Sequence, residues 1–388
     1  MRPDVIVAGL GAVGAAAAWQ LAARGLRVLG LDRHRPPHDQ GSSHGETRIT
    51  RTAIGEGEHF VPLVRRTDAL LEGLEARFGT TLGLRCGGLF IGADGGTTEM
   101  HGRPGFIAAT VEAARRLGVP HEVLQPDEVR ARFPAFSPAE TDLCYYEPGA
   151  GMLFPEKCLE AKLAAAIEAG AELRFDEPLL GWEATATGVR VTTPRGVIEA
   201  GELVIAAGGW APGLARGQLG GAVLLRQLLH WLPPSDPSLY QAGRCPVFIW
   251  AHGGTSEDCF YGFPLVPGAE SHGVKIAGEN FSIPSADPGS VDRGSSAAET
   301  DALLVGHLSG RMRGLGTTAL KRAVCLYTAT PDAGFVLDRM PDAANVTLVS
   351  ACSGHGFKHA AAVGEQVAIL VSGGGRLPPP GFHGLPFR

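Results

Sequence analysis

An α/β fold in two domains is what the sequence predicts, and three observations carry the prediction. The first residues read as strand, glycine turn, helix and strand (VIVAG, LGAVGAAAAWQLAARG, LRVLGLD), with apolar residues at the matching periods. Over residues 223–277, strand-like segments follow one another with few helices between them, as in an antiparallel sheet. The last quarter returns to the opening pattern, since VTLVSACSGHG leads into the helical FKHAAAVGEQVAILVSG.

Each element has its own signal. Strand Val5–Ala8 is continuously apolar, and Gly9, Gly11 and Gly14 follow it before an alanine-rich helix. Apolar residues recur at helical spacing over Val61–Phe78. Pro and Asp open a short helix over 126–133, short glycine-punctuated strands occupy 143–153, and Pro in the first turn and Gly at the end bound a helix over 155–170. The run GVRVTTPRGVIEAGELVIAAGG predicts a small antiparallel meander leading into a buried strand at 203–207. Strands are predicted at Val223–Leu232, 246–251, 260–263 and 273–277, a helix at 297–313, and strands again at AVCLYT and FVLD. The expected organisation is a discontinuous, Rossmann-like nucleotide domain made of 1–85, 150–218 and 322–388. Residues 86–149 and 219–321 form a mostly antiparallel α+β substrate domain. A Pro/Gly-rich tail covers 373–386.

Composition narrows the partners. With 388 residues, 44% of them hydrophobic, the chain exceeds the roughly 250–300 residues at which single cores stop growing. A net charge of -6 gives no general attraction to nucleic acid or anionic membranes. No export signal precedes the first strand and no run reaches a membrane-spanning length. The seven cysteines are scattered without a CxxC pair, which indicates neither a disulfide framework nor a metal site. A cytoplasmic protein, monomeric rather than an obligate oligomer, with a small-molecule substrate is expected.

The chemistry-bearing residues start with the glycine loop. GxGxxG between strand and helix allows a tight turn, close approach of pyrophosphate and close helix packing, while the helix amides face the anion. Asp32 ends the second strand, where a carboxylate can accept hydrogen bonds from a ribose. The segment LVIAAGGW, with Gly208 and Trp210, ends a buried strand in small residues that let backbone pass close to a nucleotide. In SGHGFKHA, the amides around Gly354, Gly356 and Phe357 and the charge of Lys358 can meet a developing negative charge. In GSSHGETRITR, which holds Ser43, Arg48 and Arg51 are three apart and can clamp a carboxylate or phosphate, or stand as a solvated pair.

Taken together, GLGAVGAAAAWQLA, PPHDQGSSHGETRITR, GEGEHFVPLVRR, YGFP, AVCLYTATPD and SGHGFKHA, spread over residues 5–365, resemble the monomeric sarcosine oxidase and N-methyltryptophan oxidase family of flavoproteins. The resemblance implies FAD, attached through a thioether at Cys325. It also implies that Arg51 and Lys358 bind a substrate carboxylate, that Arg48 lies close to the flavin, and that Lys275 is held where oxygen is reduced. Tyr261, Phe263, Gly354 and His355 match residues lining the pocket. Three positions depart from the family pattern: Glu279 replaces a histidine, Ile249 a methionine and Ile54 a tyrosine. A carboxylate at Glu279 favours a cationic group on the substrate if it faces the pocket.

The implied activity is oxidation of secondary, N-methylated amino acids. A hydride equivalent passes to the flavin, the imine is hydrolysed, and O2 is reduced to H2O2. A cyclic imino acid oxidase acting on pipecolate or proline, and a flavin dehydrogenase with a protein electron acceptor, share most of these motifs.

Overall fold

The computed structural model describes residues 2–101, 103–373 and 381–385; most of the expected Pro/Gly tail lies outside them. The first expected unit forms. Strand Val5–Ala8 sits inside a six-stranded sheet, flanked in parallel by Val28–Leu31 and Glu202–Ile205, with Ala343–Ser350 and Glu172–Arg174 extending it and Val336–Met340 antiparallel at one edge. A parallel sheet is covered on both faces, which is why these strands are runs of Val, Ile and Leu without alternation.

Helix Ala12–Ala22 packs against helices Pro155–Glu168 and Ala360–Val371. Small residues make the approach possible. A Cβ at Gly364 would stand 2.4 Å from that of Ala16, and a Cβ at Gly14 only 1.8 Å from the Gly9 carbonyl oxygen. Gly14 therefore serves the packing of helix on turn.

The second sheet is larger. Val223–Leu232, Val274–Gly278, Cys259–Gly262 and Val247–Ala251 follow one another antiparallel, and Gly88–Gly92 joins the last in parallel. Strand Lys321–Ala329 pairs with Val223–Leu232 from Val223 opposite Ala329 to Trp231 opposite Lys321. Residues 322–329 thus belong to the antiparallel sheet, on the other side of the domain boundary expected at 322, because their backbone bonds are made there.

Two small sheets complete the strands, the expected meander of Gly181–Thr185, Gly188–Thr193 and Gly196–Ala200, and a group in which Arg48–Thr50 pairs with Gly151–Leu153. The helix expected over 297–313 is shorter. An α-helix covers Ala297–Leu303 and a π turn Leu304–Leu308. Gly306 and Gly310 weaken its continuation, and Met312 instead bridges to Phe136. Helix Phe106–Arg116 was not anticipated.

Candidate active site

One continuous cavity of about 440 Å³ runs from the glycine loop to the antiparallel sheet, within the range of small-molecule sites. At its first end the glycine turn is held by backbone geometry. Gly9 has φ +92°, and a Cβ there would meet the Ala206 oxygen at 2.5 Å, so the loop after Val5–Ala8 and the loop after Glu202–Ile205 touch at a point only glycine allows. Asp32 is buried. Its carboxylate accepts from Leu10 N at 2.6 Å and His34 N at 2.9 Å and still lines the cavity. Ser43 Oγ accepts from Ala12 N at 3.1 Å and so ties the 41–51 loop to the helix start. Gly11, Gly208 and Trp210 complete this wall.

At the second end strand register gathers the reactive side chains. Side chains alternate along a strand, so Lys275 and Ala277 share a face, and Tyr261 opposite Ala277, Ile249 opposite Tyr261 and Cys325 opposite Gln227 extend it. Cys325 lines the cavity with Tyr261, Phe263 and Tyr327. Arg48 donates from Nη2 to the Ser42 oxygen at 3.0 Å and to Cys325 Sγ at 3.3 Å, and from Nη1 to the Thr47 oxygen at 2.8 Å. A fixed cation thus stands beside the sulfur.

Arg51 and Lys358 come together around one carboxylate. Arg51 is 2% exposed, lies over the rings of Phe90 and Phe106, and donates from Nη2 to Glu56 Oε2 at 2.9 Å, while its buried Nη1 has no partner. Lys358 donates to the His355 oxygen at 3.0 Å. Burial lowers its pKa to about 7, with Glu56 opposing and Arg51 adding to the shift. His355 Nε2 lies 2.7 Å from the Ala333 oxygen. Burial pushes its pKa down to about 3, so the ring is neutral at neutral pH with its proton assigned to Nε2 by that bond.

Lys275 occupies a different place from the other site residues. It is buried, and its ammonium donates to the oxygens of Gly45 and Thr47, each at 2.7 Å, and to Thr47 Oγ1 at 3.2 Å. It stands behind the 45–48 turn and not on the cavity wall. Burial and the nearby Arg48 push its pKa down.

A model of FAD-dependent oxidoreductases matches residues 4–370. The chain is 37% identical over 381 residues to a monomeric sarcosine oxidase of Streptomyces avermitilis, covering 98% of this chain and 96% of that one. The chain belongs to the monomeric sarcosine oxidase and N-methyltryptophan oxidase family. An N-methyl-L-tryptophan oxidase of Yersinia pestis is 32% identical, covering 96% and 95% of the two chains. Among solved structures, NikD, an unusual amino acid oxidase of nikkomycin biosynthesis, superposes with a TM-score of 0.84 at 26% identity, covering 95% and 94%. This oxidase uses FAD and acts on CH–NH groups.

The residues present fit that cofactor. The cavity joins a glycine turn and the buried Asp32 at one end to Arg48, Cys325 and Lys358 at the other, so one elongated dinucleotide can span it. No helix of the described residues is long and apolar enough to cross a membrane, and none of their His, Cys, Asp and Glu side chains group as a metal site. Ile249 and Glu279 line the cavity, whereas Ile54 is packed in the hydrophobic core. Glu56, His101 and Glu156 were not singled out from sequence. Glu56 lies inside the GEGEHF motif, five residues after Arg51; His101 and Glu156 carry no local signal.

Proposed function

We propose that this chain oxidises secondary amino acids, N-methylated ones first, holding the substrate carboxylate between Arg51 and Lys358. The observation that carries the proposal is the buried Arg51 Nη1, which has no partner beside a single shared Glu56. Two cations facing one fixed carboxylate leave a place for a second, and a buried unpaired charge is costly. When bound, FAD would supply the two-electron oxidant for the C–H bond beside the neutral amine, with O2 as the final acceptor and H2O2 as the product.

The chain's own groups set the geometry. We assign Cys325 to the thioether that holds the flavin, supported by its place on the cavity wall and the Arg48 contact at 3.3 Å. Arg48, Lys358 and the backbone around Gly356 and Phe357 supply positive charge at this end. Tyr261, Phe263, Gly354 and His355 shape the wall against which the substrate lies. Water then hydrolyses the substrate imine to an aldehyde and an amine.

Peroxide release across N-methylated and cyclic amino acids tests the reading. N-methyl amino acids should be turned over, and the corresponding amines without the acid should be far poorer substrates. Equal rates for acid and amine would overturn the carboxylate role of Arg51 and Lys358, and turnover confined to cyclic substrates would move the assignment to an imino acid oxidase. Acid-precipitated protein should stay yellow, and Cys325→Ser should release its flavin to the supernatant.

A further inference from the structure

The cavity has a second polar wall that the carboxylate clamp does not use. Glu279 follows strand Val274–Gly278 directly and alternates with Lys275 and Ala277, so it faces the side of the sheet that carries Tyr261 and Cys325. Its own N donates to the Cys259 oxygen at 3.2 Å, which keeps it in the ladder. Gln227 fixes the next residue from both sides, donating to the Asn280 oxygen at 2.6 Å and accepting from Asn280 N at 3.0 Å. Glu279 is 8% exposed, lines the cavity, and its Oε2 has no hydrogen-bond partner.

Opposing groups do not neutralise it. Arg51 is engaged by Glu56, and Lys358 interacts with the same Glu56. His101, buried on the same cavity, has an Nε2 without a partner, while its Nδ1 lies 3.3 Å from Glu56 Oε1. Burial and the repulsion of Glu56 raise the Glu279 carboxyl to about 8. An acid and an imidazole, each with an open acceptor position, therefore line one cavity, with Ile249 on its wall to cover a methylene stem and Tyr327 hydrogen-bonded to the acid.

We propose that Glu279, with His101, forms a subsite for a cationic side chain, so that the substrate is a secondary amino acid ending in an ammonium or guanidinium group. The inference rests on the oxidation of secondary amino acids proposed above. A cation entering the site supplies the counter-charge Glu279 lacks and a charge-assisted hydrogen bond at its open Oε2, in addition to the hydrogen bond the carboxyl already has with Tyr327.

Nα-methyl-L-lysine and Nα-methyl-L-norleucine have chains of similar reach that differ in charge, and their kcat/KM ratio reads the subsite. The holoenzyme should favour the lysine derivative by about tenfold or more, and Glu279→Gln should bring the ratio near one while leaving the norleucine derivative within about twofold. A ratio near one in the unaltered enzyme overturns the subsite. So does a Glu279→Gln enzyme slowed alike on both substrates, which would place Glu279 at the reacting amine. If neither substrate turns over, the reading of N-methylated amino acids as substrates falls separately, and anaerobic calorimetry with L-lysine and L-norleucine decides the subsite. Tighter binding of L-lysine that Glu279→Gln removes supports it, and equal binding overturns it.

Discussion

At the carboxylate end of the cavity two cations share Glu56, and the softer of them is Lys358. Arginine stays charged throughout the accessible range, while a buried lysine does not. Below its pKa of about 7 Lys358 carries its charge, and above it the free site loses one. Affinity for a simple carboxylate lacking an amine should be flat at acid pH and weaken by up to about tenfold per unit above neutrality. Lys358→Arg should keep affinity flat to higher pH, as read by titration of the flavin spectrum. A pH-independent affinity in the unaltered protein would remove Lys358 from the clamp. Arg51 and Lys358 were legible in sequence because they lie in long, specific motifs. Glu56 was half-legible and His101 not at all, since it acts only through a contact made across the fold.

The residue expected to serve oxygen reduction depends on its neighbours as elements. Lys275 is held by the turn at 45–48, and that turn is itself fixed by Glu156 at the first turn of helix Pro155–Glu168, whose Oε1 accepts from Gly45 N at 2.7 Å and Glu46 N at 3.1 Å. The role expected of Lys275 would be exercised from behind the wall by the charge of its ammonium, which acts over several ångströms at low dielectric, and it predicts a split between the two half-reactions. Lys275→Met should slow reoxidation of the reduced enzyme by about 10²-fold or more while anaerobic reduction stays nearly intact. Glu156→Gln should move the same rate in the same direction by less, because it loosens the turn without removing the charge. Stopped-flow measurement of the two half-reactions separates these outcomes, and an unchanged oxygen rate in Lys275→Met would exclude the role.

Glycines give the element scale a structural test. An alanine at Gly14 must displace the Gly9 backbone, given the 1.8 Å approach, whereas nothing lies within 4 Å of a Cβ at Gly73 in helix Val61–Phe78. Gly14→Ala should lower Tm and flavin loading, at a cost of about 1–3 kcal/mol. Gly73→Ala should be neutral or stabilise by roughly 0.5–1 kcal/mol. The glycine turn, helix Val61–Phe78 and strand Val223–Leu232 were legible from periodicity and punctuation alone. The end of the helix after Ala297 was not, because apolar residues there continue at helical spacing past glycines that only the bridge from Met312 to Phe136 shows to be breaks. Pairing partners were equally hidden, since Cys325 reads as a buried strand whichever sheet receives it.

Across the whole molecule, the 41–51 loop joins the two sheets. Ser43 reaches helix Ala12–Ala22, Ser42 Oγ donates to the Leu326 oxygen, and Arg48 meets Cys325, so the loop belongs to neither sheet alone. The cavity it borders is lined at one end by the turns of the parallel sheet and at the other by the face of the antiparallel one. A ligand that binds only the folded state adds about 2.7 kcal/mol of stability at 100 times its Kd, and here that gain is shared by segments drawn from both sheets. Flavin stripped from Cys325→Ser should therefore lower Tm. Hydrogen exchange should rise chiefly in residues 41–51 and 351–358, and less in strands Val247–Ala251 and Cys259–Gly262, whose ladder bonds do not involve the cofactor. Adding FAD back should restore both Tm and protection. Equal deprotection of those strands and the loops would mean that the antiparallel sheet itself is held by the flavin, and that the 41–51 loop is not where the two halves are joined.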